Sequence, residues 1–176
     1  MSLEKLASIA VSLLLLCTAC QNLESLNDRE RQVKIETMYR QYAKKFPQAP
    51  EITVAELQQL QERGTKFVVI DVRSPAEISV SRLPGAITPA EFETHLGLTK
   101  DAEKVVAIAY CTIGYRSGLY AQKLQEQGVR VLNLKGGVLA WSHGGGQLVD
   151  DAGSTKRVHV FGRQWRLAAE DYKPVW

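Results

Sequence analysis

The stretch that decides the fold, "EKVVAIAYCTIGYRSGLYAQKLQEQG", covers residues 103–128. It opens with a continuous apolar run, a pattern typical of a strand that is buried on both faces of a parallel sheet. It ends with an amphipathic segment before a glycine, which predicts a helix whose packed side is Leu119, Tyr120 and Leu124. Cys111 therefore lies at the carboxyl end of a strand, in the turn to a helix, where open parallel sheets bind ligands.

Strand-like and helix-like segments alternate from Ile52 to about His143. The further strand-like runs are "KFVVIDV" and "VRVLNLKGG", and the further helical segments are "TVAELQQLQERG" and "GVLAWSH". The first of these helices has a capping box, in which Thr53 is the N-cap and Glu56 follows three residues later. Strands that alternate with helices indicate an α/β fold with a parallel sheet and right-handed crossovers.

The first twenty residues have the pattern of a targeting segment. A short polar start with Lys5 precedes an apolar run from Leu6 to Ala19, which is too short for a membrane span of about 20 residues but suits a secretory signal. The small residues before Cys20 resemble the lipobox of bacterial lipoproteins, although Cys17 stands where leucine is usual. We expect an acylated Cys20, exposed by cleavage of residues 1–19, in a bacterial cell envelope, facing the periplasm or the exterior. An uncleaved anchor and simple secretion are the alternatives.

Two of the three cysteines lie in this segment as "CTAC". A C-x-x-C motif marks redox pairs or half of a zinc site, but both need a folded context that an apolar signal does not provide. With Cys17 removed and Cys20 acylated, Cys111 is the single thiol of the mature protein and no disulfide can form. The sequence predicts neither a metal site nor a cofactor.

The polar stretch 21–50 contains a predicted amphipathic helix, because apolar residues recur on one helical face. These residues are Ile35, Met38, Tyr39, Tyr42 and Phe46. The stripe is narrow and the acidic residues are many, so packing on the following domain is favoured over a helix that lies on a membrane surface.

The patterns divide the chain into a signal or lipoprotein-like segment (1–20), a helix and linker (21–50), an α/β domain (51–146) and a tail (147–176). In the tail, apolar residues alternate on both sides of "FGRQ". We expect a β-hairpin there, or a strand pair against the edge of the domain. The alternating residues are Val158, Val160, Trp165 and Leu167.

The composition excludes some classes of protein. Hydrophobic residues make up 45% of the chain and charged residues 23%, as in a globular domain. The net charge is +3, and no basic stripe interleaves with aromatic residues. Nucleic acid is therefore not an expected partner.

The residues around Cys111 suit a negatively charged sulfur or a bound oxyanion. The helix that follows supplies unpaired backbone N–H groups and the positive end of its dipole. Gly114 and Gly118 allow the backbone to curl so that amides face inward, and Arg116 adds a fixed cation. A lone cysteine at a strand end is more often a small buried hydrophobe than a nucleophile, but this combination of residues favours the nucleophile.

Three segments resemble those of the rhodanese sulfurtransferases. "CTIGYRS" is similar to their active-site loop, commonly C-x-x-G-x-R-S. "VVIDVRSPAEISVSRLPGAI" resembles their D-V-R-x-x-x-E strand and turn, and "LNLKGGVLAW" resembles their closing L-x-G-G-x-x-A-W motif. The segments occur in the family's order and spacing between about Ile52 and His143. The resemblance implies a three-layer fold, with helices on both faces of a central parallel sheet.

Two departures from the family pattern concern the site. Ser81, Arg82 and Leu83 replace the usual Gly-His-Ile before a Pro-Gly pair, which we expect to change packing rather than chemistry. Thr112 follows the nucleophile at a position where thiosulfate-using members often have arginine or lysine, and this leaves the sulfur donor open. The three histidines match no catalytic role in the family.

The resemblance implies the rhodanese mechanism. The Cys111 thiolate would attack the outer sulfur of a small donor such as thiosulfate and become a persulfide, and a thiophilic acceptor, cyanide or a thiol, would remove that sulfur. No general base is needed, because a thiolate stabilised by loop amides is already a nucleophile. A second cysteine nearby would divert the persulfide into a disulfide.

The resemblance also implies roles for the neighbouring residues. The loop amides would hold the charge of the sulfur, and Arg116 would hold donor anions or brace the loop. Asp71 and Arg73 would support the site from another strand end, and we interpret Arg73 and Glu77 as a structural ion pair. Lys135 and the Gly136-Gly137 turn that follows it would border the same opening of the site. The predicted loop residues are Thr112, Ile113, Gly114, Tyr115, Arg116 and Ser117.

Two other functions compete with this interpretation. Cysteine phosphatases and arsenate reductases also use an anion loop between Cys and Arg, but with five intervening residues, whereas Thr112 to Tyr115 are four. A rhodanese-like module that binds a partner, or carries sulfur without turnover of small donors, is the second alternative, since Thr112 removes one donor-binding cation. An exposed thiolate outside the cytoplasm is liable to oxidation, so a reducing partner or sulfur acceptor is expected.

Overall fold

The computed structural model describes residues 26–96 and 105–176. The predicted targeting segment with Cys17 and Cys20 lies outside these residues. The central sheet has four parallel strands in the order β1-β4-β3-β2. The strands are β1 (Glu51–Ile52), β2 (Phe67–Asp71), β3 (Val106–Tyr110) and β4 (Val131–Leu134).

Strands β2 and β3 form where the continuous apolar runs predict them. They pair in parallel over five residues, and the last pair is Asp71 with Tyr110. In β3 the side chains from Ala107 to Tyr110 are at most 6% exposed, so both faces of this strand are covered. Because the two strands end together, Cys111 lies beside the residues that follow β2.

Six helices are present in the described part of the chain. They are α1 (Asp28–Ala43), α2 (Val54–Glu62), α3 (Pro75–Val80), α4 (Pro89–Leu96), α5 (Tyr115–Glu126) and α6 (Gly137–His143). The predicted capping box of Thr53 and Glu56 starts α2, and the same arrangement of Ser74 and Glu77 starts α3.

The helices cover both faces of the sheet, which confirms the predicted three-layer α/β fold. On one face, α2 and α6 contribute Leu57 and Leu139 to a core that also includes Trp141. On the other face, α4 and α5 contribute Phe92 and Leu124 to a second core.

The predicted N-terminal helix is present as α1 and packs on the domain. Ile35 is 3% exposed, and Tyr39 and Phe46 are each 1% exposed. Ile35 belongs to the core on the α6 side, whereas Tyr39 and Phe46 belong to the core on the α5 side. Helix α1 thus contributes side chains to both cores. None of the helices in 26–96 and 105–176 is long and apolar enough to cross a membrane.

Helix α5 departs from its predicted orientation at Leu119. The sequence pattern places Leu119 on the packed side, but its side chain is 40% exposed. The packed side consists of Ser117, Gly118, Ala121 and Leu124. These are mostly small residues, and they allow α5 to approach the sheet and Phe46 closely, which turns Leu119 outward.

The tail contains a hairpin, but not where the alternation predicts it. Strands β5 (Leu148–Asp150) and β6 (Gly153–Thr155) form an antiparallel hairpin. The expectation of a hairpin about residues 161–164 is wrong, because β7 (Arg157–His159) pairs in parallel with β8 (Lys173–Val175) and a short 3-10 helix lies between them at Arg163–Trp165. Burial of Val158, Val160 and Leu167 in the α6-side core holds this part of the tail against the domain.

The contact between Gly118 and Phe46 provides a test of how α1 is attached. A Cβ atom at residue 118 would lie 2.4 Å from the Phe46 ring, so we expect Gly118→Ala to lower the free energy of unfolding by about 1–3 kcal/mol through overpacking. In a Phe46→Leu background the same change should cost much less. Urea unfolding of the wild type, both single variants and the double variant measures this coupling, and additive effects would contradict the packing.

Candidate active site

Cys111 lies in a tight turn between β3 and α5. Gly114, the N-cap of α5, has φ of 94°, and its N–H donates to the Cys111 Sγ at 3.2 Å. A Cβ atom at residue 114 would lie 2.6 Å from the Tyr39 ring. Both the positive φ and the close approach of α1 therefore require glycine, and the glycine amide points at the sulfur.

The first amides of α6 hold the backbone of the loop. The N–H of Val138 donates to the carbonyl of Cys111 at 2.9 Å, and that of Leu139 to the carbonyl of Thr112 at 3.2 Å. Gly137 packs so closely that a Cβ atom there would lie 2.2 Å from the Cys111 carbonyl oxygen. The predicted turn after Lys135 thus borders the loop, while Lys135 itself lies 3.6 Å from a carboxylate oxygen of Glu51.

Arg116 braces the loop through Glu77. Its two terminal nitrogens donate to the two Glu77 carboxylate oxygens at 2.8 and 2.7 Å, and one of them also donates to the Thr112 hydroxyl at 3.3 Å. Burial alone would lower the pKa of Arg116, but the hydrogen bonds to Glu77 and the charge of Glu77 outweigh burial and raise it. Of the two roles predicted for Arg116, the geometry favours bracing.

The expected ion pair between Arg73 and Glu77 is wrong. Arg73 forms a bidentate pair with Asp71, at 2.9 and 2.7 Å, and its side chain is completely buried. One of its nitrogens also donates to the Ser81 carbonyl at 2.6 Å. Glu77 points away from this pair toward Arg116, because it is the third residue of α3 and caps the Ser74 amide.

A buried tyrosine connects the Asp71–Arg73 pair to β3. The hydroxyl of Tyr110 donates to Asp71 and accepts the Leu83 N–H at 3.0 Å. Burial, followed by the charge of Asp71, raises the pKa of Tyr110 and keeps it neutral. Asp71 and Arg73 therefore support the strand ends beneath the loop and do not face solvent.

A second polar network near the loop was not predicted from the sequence. Asn133 in β4 donates to the Gly114 carbonyl at 2.9 Å and to the Tyr39 hydroxyl at 3.0 Å, and accepts from the Ser117 hydroxyl at 2.7 Å. Tyr39 donates in turn to Glu51 at 2.5 Å. The signal in the sequence is one polar residue inside the apolar run "VLNL" of a strand that is buried throughout, since a buried amide must be paired.

The exposure of the loop differs from the prediction. An accessible thiolate is expected from the sequence, but Cys111 is 1% exposed, and Thr112 and Ile113 are equally covered. Tyr115, in contrast, is 38% exposed, and the side chain of Arg116 is 31% exposed. The loop therefore meets solvent at the start of α5, while the sulfur lies just beneath.

The two histidines whose side chains the structure describes are His143 in α6 and His159 in β7. His143 Nε2 is 2.8 Å from the Leu167 carbonyl, which places it in a structural contact between α6 and the tail. His159 belongs to β7, and nothing is described of the His95 side chain. In residues 26–96 and 105–176, no group of three His, Cys, Asp or Glu side chains could hold a metal ion.

The Glu77–Arg116 pair predicts an acid-sensitive contribution to stability. Burial would raise the pKa of Glu77, but hydrogen bonds from Arg116 and Ser74 outweigh it and lower the pKa to about 2 from 4.5. A carboxylate with a depressed pKa stabilises the fold above its ordinary pKa, and this contribution disappears as the pH falls from 4.5 toward 2. We expect Glu77→Gln to lower the free energy of unfolding by about 2 kcal/mol at neutral pH.

The measurement is urea unfolding of the wild type and Glu77→Gln at a series of pH values. The difference between them should be constant above pH 4.5 and shrink toward pH 2. Glu62→Gln, at the exposed end of α2, serves as the matched control and should track the wild type throughout. A difference that stays the same down to pH 2 would show that the charge of Glu77 is not what stabilises the loop.

Comparison with known proteins agrees with this architecture. The chain is similar to a sulfurtransferase of Allochromatium vinosum, with 36% identity over 93 residues, which cover 49% of this chain and 81% of that protein. The crystal structure of thiosulfate sulfurtransferase from Pseudomonas aeruginosa matches with a TM-score of 0.55 and 24% identity, over 75% of this chain and 25% of that one. The second match concerns the fold.

The extent of the family match shows to which family the chain belongs. The rhodanese-like domain matches residues 53–143, which is more than half of the chain and includes β2, β3, the Cys111 loop, β4 and α6. Helix α1 and the whole of the tail lie outside the match. The chain belongs to the rhodanese-like domain family.

Proposed function

We propose that this protein is a sulfurtransferase that carries sulfane sulfur as a persulfide on Cys111. The donor is thiosulfate or a similar sulfane compound, and the acceptor is a thiol or cyanide. The observation that supports the proposal is the position of Sγ, which accepts the Gly114 N–H at 3.2 Å at the start of α5. Arg116 belongs to the same loop and donates to the Thr112 hydroxyl at 3.3 Å.

The proposed reaction consists of two displacements. The Cys111 thiolate attacks the outer sulfur of thiosulfate, the S–S bond breaks, and its electron pair leaves with sulfite. In the second step the acceptor attacks the outer sulfur of the persulfide, and the electron pair of that S–S bond returns to Sγ as a thiolate. The amide of Gly114 and the positive end of α5 stabilise the sulfur anion in both steps.

Access to the sulfur requires movement at the loop surface. Because Cys111 is 1% exposed, a donor reaches Sγ only when a neighbouring side chain shifts. Arg116 is the part-exposed neighbour, and the Phe161 ring covers its guanidinium at 4.8 Å. A persulfide places its outer sulfur about 2 Å beyond Sγ, so the second step takes place closer to the surface than the first.

One observation favours a second candidate, a sulfur carrier without turnover of small anionic donors. Arg116 uses both terminal nitrogens on Glu77, so the guanidinium is already neutralised and offers little to a sulfonate. The same pairing argues against a phosphatase or arsenate reductase, whose arginine must bind the oxyanion. The carrier and the thiosulfate enzyme share the Cys111 persulfide and differ in which donor loads it.

We further propose that Cys20 tethers the domain to a bacterial envelope membrane. The apolar run before it and the small residues Thr18 and Ala19 support acylation. Helix α1 begins at Asp28. The intervening residues span about 28 Å at full extension, so an acylated Cys20 would keep the domain close to the lipid surface.

Loading of Cys111 tests the proposed function. After incubation of the full chain with thiosulfate, we expect the tryptic peptide 105–116 to gain one sulfur, about 32 Da, because the loop amide stabilises the attacking thiolate. Cyanide should remove the gain. The measurement is peptide mass spectrometry without reductant, which separates Cys111 from Cys17 and Cys20.

The Cys111→Ser chain is the control and should give thiocyanate no faster than buffer. If the peptide gains no sulfur from thiosulfate but gains it from an organic persulfide such as glutathione persulfide, the carrier function is correct and the thiosulfate activity is not. If neither donor loads Cys111 in the folded chain, the sulfurtransferase function is wrong.

Acylation is tested by metabolic labelling. In bacterial cells grown with an alkyne-tagged palmitate, the full chain should become labelled and sediment with membranes, since the acyl chains on Cys20 insert into the bilayer. Cys20→Ser should lose the label, whereas Cys17→Ser should keep it. Equal labelling of the two variants would exclude Cys20 as the acylated residue.

A further inference from the structure

Next to the Cys111 loop, five apolar side chains from three parts of the chain form a continuous surface. Tyr42 and Tyr115 have ring centroids 5.2 Å apart, Tyr42 stacks on Trp165 at 6.4 Å, and Phe161 lies 5.9 Å from Trp165. Leu119 follows Tyr115 by one turn of α5 and so lies on the same helical face. We refer to Tyr42, Tyr115, Leu119, Phe161 and Trp165 as the aromatic surface.

This surface is unusually exposed for apolar residues, and three of its five residues lie outside the family match. Tyr115, Leu119 and Phe161 are 38%, 40% and 52% exposed, and they are three of the five large hydrophobic side chains that are exposed in the described residues. Tyr42 precedes the family match, and Phe161 and Trp165 follow it. The rhodanese-like domain alone would not form the surface.

Unpaired cations surround the aromatic surface. Lys44 and Lys45 lie two and three residues after Tyr42, Lys123 is one turn beyond Leu119, and Arg163 lies between Phe161 and Trp165 in sequence. All four are exposed, and none forms an ion pair with another residue of 26–96 or 105–176. Against these four cations, α5 carries one acid, Glu126 in its last turn, and Glu93 of α4 accepts from the Tyr120 hydroxyl next to Leu119. The rim is therefore predominantly positive.

We propose that the aromatic surface docks an acidic protein that presents a thiol or a persulfide to Cys111 from an apolar segment flanked by carboxylates. The proposal rests on the proposed sulfurtransferase function and specifies the partner of that site. An apolar centre with a charged rim is the arrangement found in protein interfaces, and the cationic rim selects carboxylates.

The position of the surface favours a protein over a lipid membrane. Tyr115 is the first residue of α5 and Phe161 covers Arg116 at 4.8 Å, so whatever binds here lies over the point at which the loop meets solvent. A sulfur carrier must exchange sulfur there, and a lipid surface has no sulfur to give or accept. Since Glu77 already neutralises Arg116, affinity has to come from the surroundings of the loop.

The transfer needs no external oxidant or reductant. The thiolate of the partner attacks the outer sulfur of the Cys111 persulfide, and a new S–S bond forms as the old one breaks. The electron pair of the broken bond stays on Sγ, so one thiolate is consumed and one is produced. Loading by a partner persulfide is the same step in reverse.

Binding is tested separately from the chemistry. The probes are two fluorescent heptapeptides with a central serine between leucine and phenylalanine, flanked by four glutamates in one and four lysines in the other. Fluorescence anisotropy with the full chain carrying Cys111→Ser should show tighter binding of the glutamate peptide by about tenfold or more, with an affinity that falls as salt is added.

Matched variants locate the binding. Leu119→Ser and Lys123→Glu should each weaken binding of the glutamate peptide several-fold. Val33→Ser removes an apolar side chain that is 61% exposed and lies nine residues before Tyr42, on the opposite side of α1. Arg63→Glu reverses a charge at the end of α2. Both controls should bind like the parent.

Transfer is measured with the cysteine versions of the peptides. After loading of Cys111, sulfur release to the glutamate peptide should be about tenfold faster than to the lysine peptide. Lys123→Glu should reduce this preference, because it reverses a cation of the rim, and leave release to dithiothreitol unchanged. If Cys111 cannot be loaded by any donor, the proposed function fails, and the serine peptides still decide whether the docking surface exists.

Several results would overturn the proposal. Equal binding of the two peptides, no binding of either, or no effect of Leu119→Ser and Lys123→Glu would each exclude an acidic partner here. A concentration-dependent dimer that Leu119→Ser dissociates would assign the surface to a second copy of the chain. Binding to vesicles with about a third phosphatidylglycerol that Leu119→Ser abolishes, without peptide binding, would assign it to a membrane.

Discussion

The two hydrogen bonds between Glu77 and Arg116 are the constraint on which the cysteine loop depends. They connect α3 to the first turn of α5, and the Thr112 hydroxyl joins the same cluster at 3.2 Å from Glu77. Glu77 is 3% exposed, so loss of Arg116 would leave a buried carboxylate uncompensated, which is costly. The loop is thereby locked to the strand ends before any ligand binds.

Segments outside the rhodanese-like domain complete the enclosure of the loop. Tyr39 of α1 lies against Gly114, and Phe46 lies against Gly118. From the other end of the chain, Val160 and Leu167 share a core with Ile113. Addition of a side chain at either glycine would displace α1, so the loop and these outer segments constrain each other's sequence.

The sequence predicts the elements of the fold better than the contacts within the site. Buried parallel strands require continuous apolar runs, and capping boxes have a fixed spacing, so β2, β3 and α2 could be located from local pattern alone. The partners of Arg73 and Glu77 could not. Both residues follow β2 within a few positions, so their spacing in the sequence does not decide the pairing. Each carboxylate pairs with the arginine toward which its side chain points, and this depends on how the first turns of α3 and α5 are oriented.

The outer elements show the same limit. The apolar stripe of α1 predicts burial of Ile35 and Tyr39, because side chains three or four positions apart lie on the same face of a helix. The alternation in the tail predicts a hairpin about residues 161–164, but alternation does not specify the pairing partner, and β8 lies beyond an irregular segment. The sequence pattern of α5 does not decide whether Leu119 faces the core or solvent. The structure decides it, because the small residues Gly118 and Ala121 pack against the core.

Around Cys111, different groups fix the geometry of the loop and stabilise a negatively charged sulfur. A single arginine could have performed both tasks. Arg73 and Arg116, the arginines nearest the strand ends and the loop, are each paired in bidentate fashion to a carboxylate. Internal pairing of this kind fixes geometry but leaves little net positive charge for a small dianion. The stabilisation of a sulfur anion then falls to the Gly114 amide and the helix end, which bind any sulfur anion irrespective of what carries it. Under the proposed sulfurtransferase function, discrimination between donors would then arise outside the loop, where exposed rings and unpaired cations meet.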